Sequence, residues 1–241
     1  MRMLVNLTSN LFIPLDYFNK YYFQSAIYSF LINTEFESIH NSKKFKFFTF
    51  SDYFPSGPLE KGKIKSIIIS SPNENFIKTL YEKIEEKGYI YLLDKRMEIE
   101  SLKIYKINWI PRSFETGSPI VLQKDSKMNK YFSFRDNGTI TFFLKRIKEN
   151  AVKKFKQYFG LEDFDFDYTI FDSLMFKKEV AVKLMKHNKE FIIIGSTWYY
   201  LNKNFIPKKY FDFYRFILDA GIGEKNSLGF GFLNPRRDRN T

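Results

Sequence analysis

Residues 221 to 231 read Gly-Ile-Gly-Glu-Lys-Asn-Ser-Leu-Gly-Phe-Gly, so four of the chain's 11 glycines fall within one short segment. Glycine lets the backbone take positive φ and lets a phosphate chain come within hydrogen-bonding reach. Lys225, Asn226 and Ser227 add charge and donors beside Gly221, Gly223, Gly229 and Gly231. The chemistry implied is the holding of phosphates. A helix cap at Gly221 with a tight turn accounts for one or two of these glycines, not for four.

Other patterns match known phosphate or metal loops only in part. Gly221-x-Gly223 is followed by Asn226 where a dinucleotide fingerprint needs glycine, and it follows an expected helix where that fingerprint follows a strand. Gly57 to Lys63 has most of a Walker A loop, but Ile64 replaces the magnesium-binding Ser/Thr and a strand is expected next. Gly229 to Leu233 resembles the first ribonucleoprotein motif, but it is expected on the last strand here, where that module carries it on the third, so an ordinary RNA recognition motif is disfavoured. Asp163, Asp165 and Asp167 would share one face of a strand, either gathering magnesium or keeping an exposed edge from pairing. Tyr168 stands where an EF-hand needs glycine.

The elements that must position these groups follow from hydrophobic period. Residues 2 to 8 alternate like a strand, and 17 to 32 place Phe18, Tyr21, Tyr22, Ser25, Tyr28 and Ile32 on one helical stripe. Strands are expected at 45–51 and 63–70 around the Pro55 to Pro58 loop, then a helix over 73–86 stopped by Gly88, and a strand over 89–93. The order is βαββαβ. After a connection at 103–111 it repeats: strand 119–123, helix 139–159, strand-rich blocks 164–184 and 190–201, helix 207–220 and a last strand 228–233. This predicts an α+β protein of two ferredoxin-like, RRM-like domains, 1–110 and 111–241. A single mixed α+β domain fits the same order.

Composition bounds the function. The 241 residues include 29 Phe, 16 Tyr and 2 Trp, too apolar for a disordered chain, and no Cys, which removes disulfides, thiolate metal sites and cysteine nucleophiles. Two His cannot make a three-histidine metal centre. No apolar run approaches the roughly 18 residues of a membrane span, so a soluble cytoplasmic protein without membrane partners is expected. The net charge of +12 points to a polyanion. Residues 1–110 hold 15 basic and 12 acidic groups (+3), whereas 111–241 hold 24 and 15 (+9). A Lys-rich composition also follows from an AT-rich genome or a hot habitat.

GIGEKNSLGFGF, at the end of a doubled ferredoxin-like order, resembles the signature of the Cas6 family of CRISPR endoribonucleases. YYFQSAIY (21 to 28), Ile39-His40 and Lys46-Phe-Phe-Thr-Phe-Ser51 resemble its archaeal and thermophile members. The resemblance implies a catalytic set of Tyr28, His40 and Lys46, with Gly221, Gly223, Lys225, Asn226, Ser227, Gly229 and Gly231 binding RNA. It implies CRISPR repeat RNA (precursor crRNA) as substrate, products with 5′-hydroxyl and 2′,3′-cyclic phosphate ends, and no metal or other cofactor. A monomer or homodimer, delivering its product to a CRISPR effector complex, is the expected assembly. The alternative is a non-catalytic repeat-RNA-binding subunit of such a complex.

Metal-free RNA cleavage needs a base for the 2′-OH, an acid for the departing 5′-oxygen and a cation beside the phosphorane. An unperturbed imidazole suits either proton role, whereas a phenol titrating near 10 is a weak base. This gives His40 proton transfer, Lys46 charge stabilisation, and Tyr28 base or positioning duty. Each has a plainer reading: Tyr28 as packing, His40 as an idle surface His, and Lys43 or Lys44 as the real cation. His187 reads as a surface turn. Lys145, Lys148, Lys153 and Lys156 line the outer face of helix 139–159, with Phe143, Ile147, Phe155 and Phe159 inward. Arg236, Arg237 and Arg239 form a basic tail.

Overall fold

The computed structural model describes residues 1–125, 130–186 and 189–236, the side chain of Lys186 excepted. His187, Arg237 and Arg239 lie outside the described residues. The elements are β1 (Arg2–Thr8), α1 (Lys20–Phe30), β2 (Thr49–Phe50), β3 (Lys65–Ser70), α2 (Glu74–Lys87), β4 (Tyr89–Leu92), β5 (Lys95–Tyr105), β6 (Ser113–Thr116), β7 (Gln123–Asp125), β8 (Lys130–Tyr131), α3 (Ile140–Phe159), β9 (Ser173–Lys186), β10 (Lys189–Asn202), α4 (Phe211–Ala220) and β11 (Leu233–Arg236).

Two antiparallel sheets carry the fold, in orders β2-β3-β1-β5-β4 and β11-β6-β10-β9, with β7-β8 as a separate ribbon. Each large sheet contains the 2-3-1-4 strand order of a ferredoxin-like unit, the first with β4 added at its edge. The chain is thus two tandem ferredoxin-like folds, as expected from the element order. Met3, Val5 and Leu7 of β1 meet Ile67 and Ile69 of β3 and the inner faces of α1 and α2 in one core. Phe143, Ile147 and Phe155 of α3 join Phe213, Phe216 and Ile217 of α4 in a second. The helices begin and end on local chemistry. The side chains of Asn19, Asn73 and Thr139 accept the amides of Tyr21, Phe76 and Phe142 at their N-termini, and Gly88 and Gly160 close α2 and α3 in the left-handed conformation.

Several expectations are corrected. The stretch at 103–111 is not wholly a connection: β5 runs to Tyr105, and it, not β4, pairs with β1. Residues 45–48 are not strand, because Phe47 takes φ 50°. Residues 119–122 make only isolated bridges, Ile120 to Ser196 and Val121 to Glu224. Residues 164–172 form a loop, so Asp163, Asp165 and Asp167 share no strand face. The last strand starts at Leu233, and residues 229–232 are a buried loop. The buried face of α1 is Phe23, Ala26, Ile27 and Phe30, leaving Tyr28 half-buried at its border and Ile32 exposed. On α3, Phe159 is exposed.

The two halves share a broad seam. Arg2 of β1 is buried and donates through Nη2 to Leu218 O (2.9 Å) and Leu233 O (2.7 Å), with its guanidinium over the Phe232 ring. Asp219, at the end of α4, takes the Met1 ammonium at 2.7 Å and the Ser70 hydroxyl at 3.2 Å, and lies 3.7 Å from Arg2 Nε. Thr49 Oγ1 donates to Phe230 O at 3.0 Å, tying β2 to the glycine loop.

Candidate active site

Tyr28, on the last full turn of α1, His40, just after a short 3-10 turn at Glu37–Ile39, and Lys46, in the loop before β2, converge. Lys46 Nζ donates to the Tyr28 hydroxyl at 3.0 Å and to the His40 carbonyl at 2.8 Å. The Tyr28 and His40 rings meet edge to face, with centroids 4.7 Å apart. The loop holding Lys46 is anchored by the residue after it: the Phe47 ring packs on Tyr158 and Phe216 of the second core. Lys43 and Lys44 are exposed.

The environment separates the roles these groups can take. Burial pushes the Tyr28 phenol up to about 12, against the weaker opposing effect of hydrogen bonds with Ser227 and Gln24. At neutral pH it is a neutral hydroxyl. Burial also lowers Lys46 from the ordinary lysine value. His40 is exposed, and its Nδ1 lies 2.9 Å from the Asn41 amide oxygen, an acceptor that matches the tautomer with its proton on Nδ1.

The glycine segment lies against this cluster, but its glycines point inward. Gly221, Gly223, Gly229 and Gly231 are buried, and a side chain at 229 or 231 would collide with the Phe50 ring or the Ile222 carbonyl. Their small size lets the loop press between the two halves. The partly exposed face is Lys225, Asn226 and Ser227. Asn226 Nδ2 donates to Ile222 O (3.0 Å) and Phe230 O (2.9 Å), closing the loop on itself. Gln24 Nε2 donates to Ser227 O at 2.9 Å and reaches the Tyr28 hydroxyl at 3.4 Å, joining the loop to α1.

Between the Lys43–Phe47 loop, α3 and the glycine loop opens a cleft of about 630 Å³. Lys43, Lys44, Lys46, Arg146, Lys153 and Lys225 make its wall basic. At its floor Lys154, only 2% exposed, donates to Gly221 O at 2.6 Å, Gly223 O at 3.2 Å and Asn226 Oδ1 at 2.8 Å. Burial lowers its ammonium to about 7. Lys154 and Gln24 were missed by the sequence reading, although Lys154 keeps the helical spacing of inward Ile147 and Ala151. Lys145 and Lys153 are exposed on α3, while Lys148 and Lys156 are half-buried. Arg236 donates to Tyr199 O at 2.9 Å.

Among the described residues, no group of three or more His, Asp or Glu is placed to hold a metal ion, and no helix is long and apolar enough to cross a membrane.

Comparison with known proteins bears on this arrangement. Residues 106–235 match the family profile described as CRISPR associated protein Cas6, C-terminal. The chain is 41% identical over 240 residues to the CRISPR-associated endoribonuclease Cas6 2 of Methanocaldococcus jannaschii, covering 98% of this chain and 99% of that one. It is 28% identical over 259 residues to the Cas6 1 of the same organism, covering 100% of this chain and 94% of that protein. A solved structure described as CRISPR associated protein Cas6 shares the fold with a TM-score of 0.70 at 23% identity, covering 98% of this chain and 99% of its own. A Cas6-related protein from Pyrococcus furiosus does so with 0.69 at 22%, covering 99% of each. With a profile match over more than half its length and a 41% identical relative matched nearly end to end, the chain belongs to the Cas6 family.

Proposed function

We propose that this protein is a CRISPR repeat-RNA endoribonuclease that processes precursor crRNA by attack of the RNA's own 2′-oxygen, without a metal ion. The observation that carries the reading is the convergence of Lys46 on the Tyr28 hydroxyl and the His40 carbonyl beside a basic cleft, in a chain 41% identical to a named endoribonuclease. His40 exchanges protons through Nε2, either accepting that of the 2′-OH or supplying one to the departing 5′-oxygen, and a water molecule performs the other of these two transfers. The new 2′-O–P bond forms as the P–O5′ bond breaks, leaving a 2′,3′-cyclic phosphate and a 5′-hydroxyl. Lys46 carries the positive charge beside the phosphorane. Tyr28, neutral at pH 7, orients Lys46 and donates a hydrogen bond rather than acting as base.

Residues 1–110 supply these cutting groups, and 111–241 supply much of the RNA grip through Lys225, Asn226, Ser227 and the exposed lysines of α3. Gly221, Gly223, Gly229 and Gly231 serve RNA by shaping that face. The product is passed on to a CRISPR effector complex.

The test is to incubate the protein in excess EDTA with its cognate repeat RNA and with the same RNA bearing a 2′-deoxy sugar at the cut site. Cleavage of the first alone supports the reading. Binding of both without cleavage replaces it by a non-catalytic RNA-holding subunit, and cleavage only with added magnesium replaces it by metal-dependent hydrolysis.

A further inference from the structure

Lys154 occupies an inward position of α3, where a leucine or methionine would fill the same space without the cost of burying an ammonium. Its three protons meet three acceptors, Gly221 O, Gly223 O and Asn226 Oδ1, all from one loop. None is left for a ligand. What this arrangement fixes is the shape of the glycine loop, because Asn226 passes the constraint on to Ile222 O and Phe230 O.

The next residue carries the constraint to the cutting groups. The Ser227 carbonyl accepts from Gln24 Nε2, and Gln24 lies one helical turn before Tyr28, within 3.4 Å of its hydroxyl. Of the two groups that hydrogen-bond to the Tyr28 oxygen, Gln24 is therefore held by the loop, and the other is Lys46.

We propose that Lys154 is a positioning residue for RNA cleavage, acting through Asn226, Ser227 and Gln24 to hold the Tyr28 hydroxyl, and with it Lys46, in register with the scissile phosphate. This rests on the nuclease reading above. Because Lys154 spends all its donors on the protein, its loss should reach the chemical step and leave RNA affinity alone. A misplacement of a catalytic group by about 1 Å costs on the order of 100-fold in rate.

The experiment compares the unmodified protein with Lys154→Met, Gln24→Met and the double variant. Single-turnover cleavage of repeat RNA is measured alongside Kd for the 2′-deoxy RNA, and thermal melting reports folding. Each single variant should lose about 10- to 100-fold in cleavage rate with unchanged Kd. The double variant should lose little more than the worse single one, since both break the same relay. Unchanged cleavage by Lys154→Met overturns the inference, as does a raised Kd at unchanged rate, which would mean direct phosphate contact. Losses that multiply in the double variant also overturn it, by showing a general packing role. If Lys154→Met does not fold, Gln24→Met decides alone: wild-type cleavage by it sinks the relay. If the unmodified protein cuts nothing, the nuclease reading falls and takes this inference with it.

Discussion

At the residue scale, the three proposed cutting groups should fail in different ways. His40→Ala removes the proposed proton carrier, and cleavage should drop by about 10²- to 10⁴-fold with RNA binding kept, measured under single turnover. Tyr28→Phe keeps the ring against His40 but removes the hydroxyl that accepts from Lys46. With the phenol pushed up to about 12 and Tyr28 proposed to position Lys46 rather than act as base, this variant should lose less than His40→Ala. Lys46 adds a pH signature. Burial lowers its value, so its ammonium loses its proton at a lower pH than a free lysine, and the cleavage rate should fall on the alkaline side below the ordinary lysine range. Lys46→Arg, charged throughout, should move that limb to higher pH whatever it does to the maximum rate. An unmoved limb would remove Lys46 as the cation.

Lys154 gives a stability counterpart whose sign is opposite to that of an ion pair. Its folded value of about 7 lies below the unfolded lysine value, so between these the unfolded chain binds more protons. The native state should therefore gain stability from this group as pH rises from about 7 toward 10, and lose it as pH falls. Denaturant melts of Lys154→Met should lack that rise.

At the element scale, the glycine loop is a wedge that only small residues allow. Gly231→Ala would set a side chain against the Ile222 carbonyl at φ 69°, and stability should fall by about 2–3 kcal/mol, read by denaturant unfolding. Stability at the wild-type level would show that the loop is not clamped as described. The loop also marks where sequence reading reaches its limit. Leu228 to Phe232 is apolar and, from residue 229 on, buried, which looks like a strand, but the burial comes from being squeezed between two halves rather than from ladder pairing. β5 was hidden for the opposite reason: its Lys, Glu and Arg leave it largely half-exposed, so alternation is weak although it pairs along β1. The strongly periodic α2 and α3 were legible almost to the residue, because one face of each is apolar and a cap residue starts it. Tyr28, His40 and Lys46 could be picked out only by resemblance. Their spacings of 12 and 6 residues cross a loop whose path depends on Phe47 docking in the other half's core.

At the scale of the whole molecule, two cores are held together by a small set of buried charges and the loop. Asp219 faces both the Met1 ammonium and Arg2, and Asp219→Asn leaves a buried guanidinium without its counter-charge. The loss should be roughly 3 kcal/mol in thermal or denaturant unfolding. The cleft draws its basic wall from both halves, Lys43, Lys44 and Lys46 from the first and Arg146, Lys153 and Lys225 from the second, so it does not by itself account for the larger net charge of residues 111–241. RNA affinity should fall with salt, and Lys153→Gln and Lys225→Gln should each reduce the slope of log K against log salt by about 0.7. An unaltered slope in both would place the RNA elsewhere.

The most direct measurement of the central claim is the mass of the upstream fragment released from repeat RNA in excess EDTA. Attack by the 2′-oxygen predicts a 2′,3′-cyclic phosphate, lighter by one water than the linear phosphate, with a 5′-hydroxyl on the downstream piece. A 3′-hydroxyl on the upstream fragment, paired with a 5′-phosphate downstream, would contradict it.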